Sequence, residues 1–178
     1  GYSFFPNSRT ITINGAEQEN LDFITMISWS RTFREGVENK IYYIEQTSDC
    51  GYVMCGMIDR SGALNLPEAA NIDFWVVKIN RYGEVEWEWI NGGVNVDYAY
   101  SVHQRENGTF VVTGSTYNAT TGFDVRIVQL SVAGGTPTVD WDTTLAGGAQ
   151  DEGRCVIYSD FRSEYIVAGS TESWGSGL

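Results

Sequence analysis

Ile44-Glu45-Gln46-Thr47-Ser48-Asp49-Cys50-Gly51-Tyr52-Val53-Met54-Cys55-Gly56 aligns without a gap on Val102-His103-Gln104-Arg105-Glu106-Asn107-Gly108-Thr109-Phe110-Val111-Val112-Thr113-Gly114, 58 residues further along. A third copy runs from Val156 through Tyr165-Ile166-Val167-Ala168-Gly169-Ser170-Thr171, with one extra residue in the turn. Each copy reads strand, turn, strand. A sustained period of this order is the signature of a repeat architecture and decides the fold class.

Two further landmarks keep the same period. Asp73-Phe74-Trp75-Val76-Val77-Lys78-Ile79-Asn80 is echoed by Asp124-Val125-Arg126-Ile127-Val128-Gln129-Leu130-Ser131, and more weakly by Asp22-Phe23-Ile24-Thr25-Met26-Ile27-Ser28. Trp29, Trp87 and Trp141 mark a third element, and ten residues on from each stand Asn39, Asp97 and Asp151. Gly36, Gly92-Gly93 and Gly147-Gly148 lie between.

Local chemistry makes these elements strands. The runs are short, rich in Val, Ile, Tyr, Phe, Trp and Thr, and bounded by Gly, Asn, Asp and Ser. Asp49-Cys50-Gly51 and Asn107-Gly108 supply residues tolerant of positive φ at hairpin tips, and Tyr82-Gly83-Glu84 is a turn. The alternation Val85-Glu86-Trp87-Glu88-Trp89 predicts Val85, Trp87 and Trp89 on one face and the glutamates on the other. No long stretch has a 3.6-residue apolar period, so helix content is expected to be small.

Four short antiparallel strands per repeat is the make-up of a propeller blade. The order Asp73 to Gly83, Trp87, Gly92-Gly93, Asp97-Tyr98-Ala99-Tyr100-Ser101-Val102 and Asn107 to Thr116 resembles the Gly/Trp-marked propeller repeats of bacterial and archaeal surface proteins, including those called seven-bladed β-propeller repeats. The resemblance covers residues 22 to 172. Asn39 in place of Asp, Cys55 before Gly56, and a long insertion between Gly56 and Asp73 depart from the pattern. It implies a scaffold at a surface location and no single activity.

The expected architecture is therefore all-β and β-propeller-like, with about three four-stranded antiparallel blades and one blade split between the termini. Residues 1–20 form an N-terminal extension with an added strand, Thr10-Ile11-Thr12-Ile13 before an Asn14-Gly15 turn. Residues 21–178 hold a second half-repeat (21–38), repeats 39–96 and 97–150, and a first half-repeat (151–178). Propellers close with about four to eight blades. Three blades thus read as a segment of a longer propeller, as a subunit completed by other copies, or as an open stack, the first two being favoured in that order. The start at Gly1-Tyr2-Ser3, with no Met, basic n-region or apolar h-region, reads as a mature or excised segment.

Composition narrows the partners. With 23 acidic and 11 basic residues the net charge is −12, and no Lys/Arg cluster offsets it, which argues against nucleic acid and anionic membrane surfaces. The longest apolar runs, around Val53 and Val111, fall far short of the roughly 20 residues of a membrane span. One histidine and three cysteines without CxxC spacing argue against an ordinary zinc or haem site. Cys50 and Cys55 are too far apart along a strand to bond directly, and with Cys155 they read as free buried thiols. Asn107-Gly108-Thr109 and Asn118-Ala119-Thr120 are sequons, usable if the source secretes through a eukaryotic pathway.

No catalytic, cofactor-binding or metal-binding residue is assigned. Asp73, Asp124, Asp97 and Asp151 could pass for calcium ligands or an acid/base pair, but recurrence in every repeat reads as a turn or cap accepting backbone N–H bonds. His103 stands at the place of Glu45 and of Tyr158 and reads as a strand residue on a solvated face, with no nucleophile beside it. Thr47-Ser48-Asp49-Cys50-Gly51 resembles the structural Asp-box turn of sialidase-like propellers, with Met54 where an aromatic belongs. The insertion from Ile58 to Ile72 breaks the repeat at length and reads as a tolerated loop or an added binding segment. The expected function is a non-catalytic, secreted or cell-surface module for structure, adhesion or assembly through its open strand edges, with protein as partner. The alternative is a carbohydrate-binding or glycosidase-type propeller using Tyr98, Tyr100, Tyr117 or Trp174 with nearby acids.

Overall fold

The computed structural model describes residues 12–13, 16–17, 32–33, 38–60 and 71–173. The chain divides into two compact units, Gly1–Thr32 and Phe33–Leu178. In the first, β1 (Thr12–Ile13) pairs antiparallel with β2 (Ala16–Glu17). The weak echo at 22–28, Trp29, residues 61–70 of the insertion and Trp174 lie outside the described residues.

In the second unit every regular element described is a strand, and no helix among the described residues is long and apolar enough to cross a membrane. The first sheet is a meander of β3 (Glu38–Gln46), β4 (Tyr52–Asp59), β5 (Ile72–Ile79) and β6 (Val85–Asn91), all antiparallel. The second repeats it with β7 (Asp97–Gln104), β8 (Phe110–Asn118), β9 (Gly122–Ala133) and β10 (Thr136–Leu145). The third has β11 (Asp151–Ser159) paired with β12 (Glu164–Thr171). The sheets are open and antiparallel.

The strands β4, β5 and β8 inside the first two sheets are buried over most of their length, with apolar side chains on both faces. Every residue of β5 is buried, and Val53, Cys55, Phe74 and Val76 of the first sheet interlock with Ala99, Val102, Val112 and Val128 of the second. The opposite face of the second sheet, with Val111, Val125 and Ile127, receives Val156 of β11, Tyr165 and Val167. The first and second sheets thus each carry the first strand of the next on one face.

Bulges give the meanders their register. In β3, β7 and β11 the pairing slips at Tyr42, Tyr100 and Arg154, between Ile41/Tyr43, Ala99/Ser101 and Gly153/Cys155. Opposite each slip lies a glycine: Gly56 faces Ile41, Gly114 faces Ala99, and Gly169 faces Gly153. A Cβ at Gly56, Gly114 or Gly169 would collide with the carbonyl oxygen of Lys40, Tyr98 or Glu152 respectively. The extra residue of the bulge swings that carbonyl over its neighbour, so only glycine fits.

A second pair of bulges corrects the expected alternation in β6. Glu86 is the extra residue between the pairs Lys78↔Trp87 and Ile79↔Val85, and Asp140 is its counterpart between Val139 and Trp141. A one-residue slip moves a side chain to the other face. Trp87 and Trp89 are therefore buried while Val85 is exposed.

Candidate functional site

The four recurrent aspartates are buried, and their partners differ. Asp97 accepts the Gly93 amide at 3.2 Å, and Asp151 accepts the Ser173 hydroxyl at 2.7 Å. Asp73 instead takes the Arg60 guanidinium, with Nε at 3.0 Å, and Asp124 takes the Thr121 hydroxyl at 2.8 Å. Asp97 and Asp151, at the start of β7 and β11, accept backbone amides together with side-chain hydroxyls, whereas the bonds of Asp73 and Asp124 in β5 and β9 come from side chains. Desolvation raises the Asp97 carboxyl above its ordinary value against the pull of Thr116 and Arg126. Desolvation acts on Asp151 too, but hydrogen bonds from Thr171, Ser173 and Glu172 outweigh it and hold that carboxyl low. Among the described residues no three His, Cys, Asp or Glu side chains are grouped as metal ligands would be.

Beside Asp97 lies a polar pocket of about 390 Å³, lined by Gly92, Asn95, Asp97, Thr116, Arg126 and Asp142 among others. Arg126 grips Asp142 with two bonds, Nε to Oδ1 at 3.2 Å and Nη2 to Oδ2 at 2.6 Å, and also donates to Asn91. Its Nη1 stands 3.6 Å from Asp97, and its guanidinium carbon 5.0 Å from the centre of the Phe74 ring. In the first sheet the corresponding pair is Trp75 with Glu88, joined through the indole N–H. Arg126 therefore serves as a clamp between the first two sheets, its donors turned to partners within the fold.

His103 is part-exposed, with Nδ1 at 3.2 Å from Glu45 Oε2, and Glu45 Oε1 accepts the Gln104 amide at 3.0 Å. The two side chains hold equivalent positions in adjoining first strands and tie β3 to β7. Strand pairing places Ile157 rather than Tyr158 at the third of these positions, because Ile157↔Ile166 matches His103↔Val111 and the extra residue falls in the turn beyond.

The Thr47–Gly51 turn is built as an Asx turn. Asp49 Oδ1 accepts the Gly51 amide at 2.9 Å and the Thr47 hydroxyl, while Oδ2 accepts Lys78 Nζ at 2.7 Å. Lys78 is buried and bridges on to Glu86. Positive φ falls on Cys50, at 65°, and not on Gly51, whose Cβ would strike the Ile79 carbonyl. All three thiols are free, but only Cys55 is buried. Cys50 at a hairpin tip and Cys155 beside the β11 bulge are exposed, which corrects the expectation of buried thiols. Both sequon asparagines are exposed, with Oδ1 of Asn107 bound by the Thr109 amide at 3.0 Å and that of Asn118 by the Thr120 amide at 2.8 Å.

The insertion joins β4 to β5, and its base is closed by the Arg60 amide on the Asn71 carbonyl at 3.2 Å.

Three of the aromatics read from the sequence come together. Tyr98 lies against Tyr100 with ring centroids 6.0 Å apart and against Phe123 at 5.8 Å, and Tyr117 meets Phe123 at 5.4 Å. Tyr42, Phe123 and Arg154 complete the group: Tyr42 sits 5.4 Å from Tyr100, and Arg154 lies over the Tyr100 ring at 4.1 Å. Behind them Met57, Ile72 and Val96 form a small buried cluster. The bulges explain the convergence, since Tyr42, Tyr100 and Arg154 are the three extra residues of β3, β7 and β11. Burial pushes the Tyr100 hydroxyl up to about 12, with Arg154 opposing, and raises Tyr42 and Tyr98. The tyrosines stay neutral at physiological pH and offer ring faces with hydroxyl donors. The pairs Lys40–Glu38 (2.7 Å) and Arg154–Glu152 lie beside them. Tyr42 and Phe123 were not singled out in the sequence: the missing signal for Tyr42 is the bulge, and for Phe123 its pairing with Tyr117.

The chain matches no protein-family model and no curated protein.

Proposed function

We propose that this chain is a non-catalytic repeat module of the β-propeller type, related to the Gly/Trp-marked repeats, in a secreted or cell-surface protein. Its work is contact: structure, adhesion or assembly through its open strand edges. The observation that carries this reading is β12. It corresponds to β4 and β8, each hydrogen-bonded on both sides, yet among the described residues β12 pairs with β11 alone. An open edge is a template for strand addition. Residues 22–28 weakly echo the sequence of β5 and β9, which offers a candidate sequence for this edge. Three blades fall short of the four that a ring needs, so the partner for this edge is the rest of a larger propeller or, for this chain by itself, a second copy. Sedimentation of the purified chain tests this: self-association is expected, and a folded monomer of 19.8 kDa at every concentration would refute it.

A second reading, carbohydrate binding, is favoured by the grouping of Tyr42, Tyr98 and Tyr100 at a partly exposed surface with charged neighbours. A glycan array read with the chain and with its Tyr42→Ala variant checks it. Binding lost in the variant supports the reading, and an array without signal removes it.

A further inference from the structure

We infer that copies of this chain dock head to tail, Ile41 and Ile44 of β3 in one copy packing on Ala168 and Ile166 of β12 in the next. This rests on the assembly reading above and specifies the faces that meet.

The chain already contains this interface twice. Register makes Ile41, Ala99 and Gly153 equivalent, each opposite the bulge glycine, and likewise Ile44, Val102 and Val156. In β7, Ala99 and Val102 are both 0% exposed, pressed on Val53 and Cys55 of the preceding sheet. In β11, Val156 is 2% exposed against Val111, and Gly153 lies on Thr113. In β3 the same two positions stand open, with Ile41 at 37% and Ile44 at 54% exposure. The receiving positions Val53, Val111 and Ile166 are equivalent, as are Cys55, Thr113 and Ala168. Val53, Val111, Cys55 and Thr113 are all 0% exposed, whereas Ile166 is 45% exposed and Ala168 is exposed. Among the described residues one half of the repeated interface is thus open at each end of the series.

The two open halves complement each other in chemistry. Within the chain, Ala99 meets Cys55 and Gly153 meets Thr113. Between copies the large Ile41 would meet the small Ala168, a large-against-small pairing that lets facing side chains interdigitate. The bulge residues run Tyr42, Tyr100, Arg154, each on the next, so the following contact sets an exposed guanidinium against the exposed ring of the next copy's Tyr42, a favourable cation–π pair. On the outer face of the first sheet Met54 and Trp75 are buried, with Phe33 edge-on at 6.3 Å to Trp75. The exposed apolar side chains of that face are Ile41 and Ile44 of β3 and, at the far edge, Val85 of β6. A contact between unlike faces closes into a ring or runs into a filament. Two copies of three sheets come within the four to eight blades of a closed propeller, so a dimer is the expected product.

The test uses Ile44→Lys and Ile166→Glu in the full chain. Both side chains are exposed, so each variant should keep the wild-type circular dichroism spectrum, with a melting temperature lowered only by the loss of association. Analytical ultracentrifugation should show a wild-type dimer, each variant alone as a monomer, and an equimolar mixture of the two restored to dimer, because one mixed interface is native and the other pairs lysine with glutamate. Persisting dimers in the separate variants would overturn the docking while leaving assembly through the strand edge intact. Monomeric variants that fail to combine would overturn the head-to-tail arrangement. A monomeric wild type would overturn this inference together with the assembly reading.

Discussion

At the level of single residues, Cys50 holds a left-handed backbone conformation that Gly108 holds in the next repeat, with φ of 65° and 84°. The Cβ of an L-residue is crowded there, at a cost of roughly 1–2 kcal/mol that glycine avoids. Cys50→Gly should therefore raise stability by up to about 1 kcal/mol, since glycine also gives up more chain entropy on folding. Urea denaturation followed by fluorescence measures it. A second residue-level effect concerns acid. Desolvation works against the charged form of Asp49, but Lys78, Thr47 and the Gly51 amide outweigh it and lower its carboxyl to about 2. A group whose folded value is depressed contributes stability that is complete above its unfolded value near 4 and is lost as pH falls toward 2. Asp49→Asn should flatten the stability profile between pH 4 and pH 2 while lowering it at neutral pH. Parallel thermal melts across that range, in the native chain and the variant, check the direction.

At the level of elements, the bulge and its facing glycine form one device used in β3, β7 and β11. Replacing Gly114 by alanine drives a methyl group into the Tyr98 carbonyl, and the neighbouring strands are held on both faces. Little relaxation is available, so a loss of about 3 kcal/mol or more is expected, at the upper end of overpacking costs. Gly93→Ala, where a Cβ meets nothing within 4 Å, provides the control and should change the denaturant midpoint little. Strand boundaries and turns were legible from sequence because they depend on neighbours in the chain: Asn80, Asn107 and Asp49 fold back on amides two to four residues away. The reason for Gly56, Gly114 and Gly169 was not legible. It lies in a carbonyl of the partner strand, and the alternation at Val85 to Trp89 was misread because a bulge at Glu86 leaves no compositional mark.

At the level of the whole molecule, net charge and apolar docking oppose each other. Each copy carries −12, so association through Ile41, Ile44, Ile166 and Ala168 brings like charges together. Screening shortens the Debye length from about 30 Å at 0.01 M salt to about 8 Å at 0.15 M. Dimerisation should therefore tighten on adding salt, the opposite of an interface held by ion pairs, and sedimentation at the two ionic strengths reads the sign.

The sequence by itself determined the period, the strand-turn-strand units and the all-β class, because β-branched alternation and Asn, Asp or Gly turns act within a few residues of chain. Only the tertiary structure decided which side chains meet. Tyr42, Tyr98, Tyr100, Tyr117 and Phe123 come from four strands, and they converge because bulges in β3 and β7 turn Tyr42 and Tyr100 together. The burial of Ala99 and Val102 beside the exposure of Ile41 and Ile44 has another origin, the packing of β7 on the first sheet. Equivalent sequence positions differ in environment when one sheet has a neighbour at its first strand and the other does not.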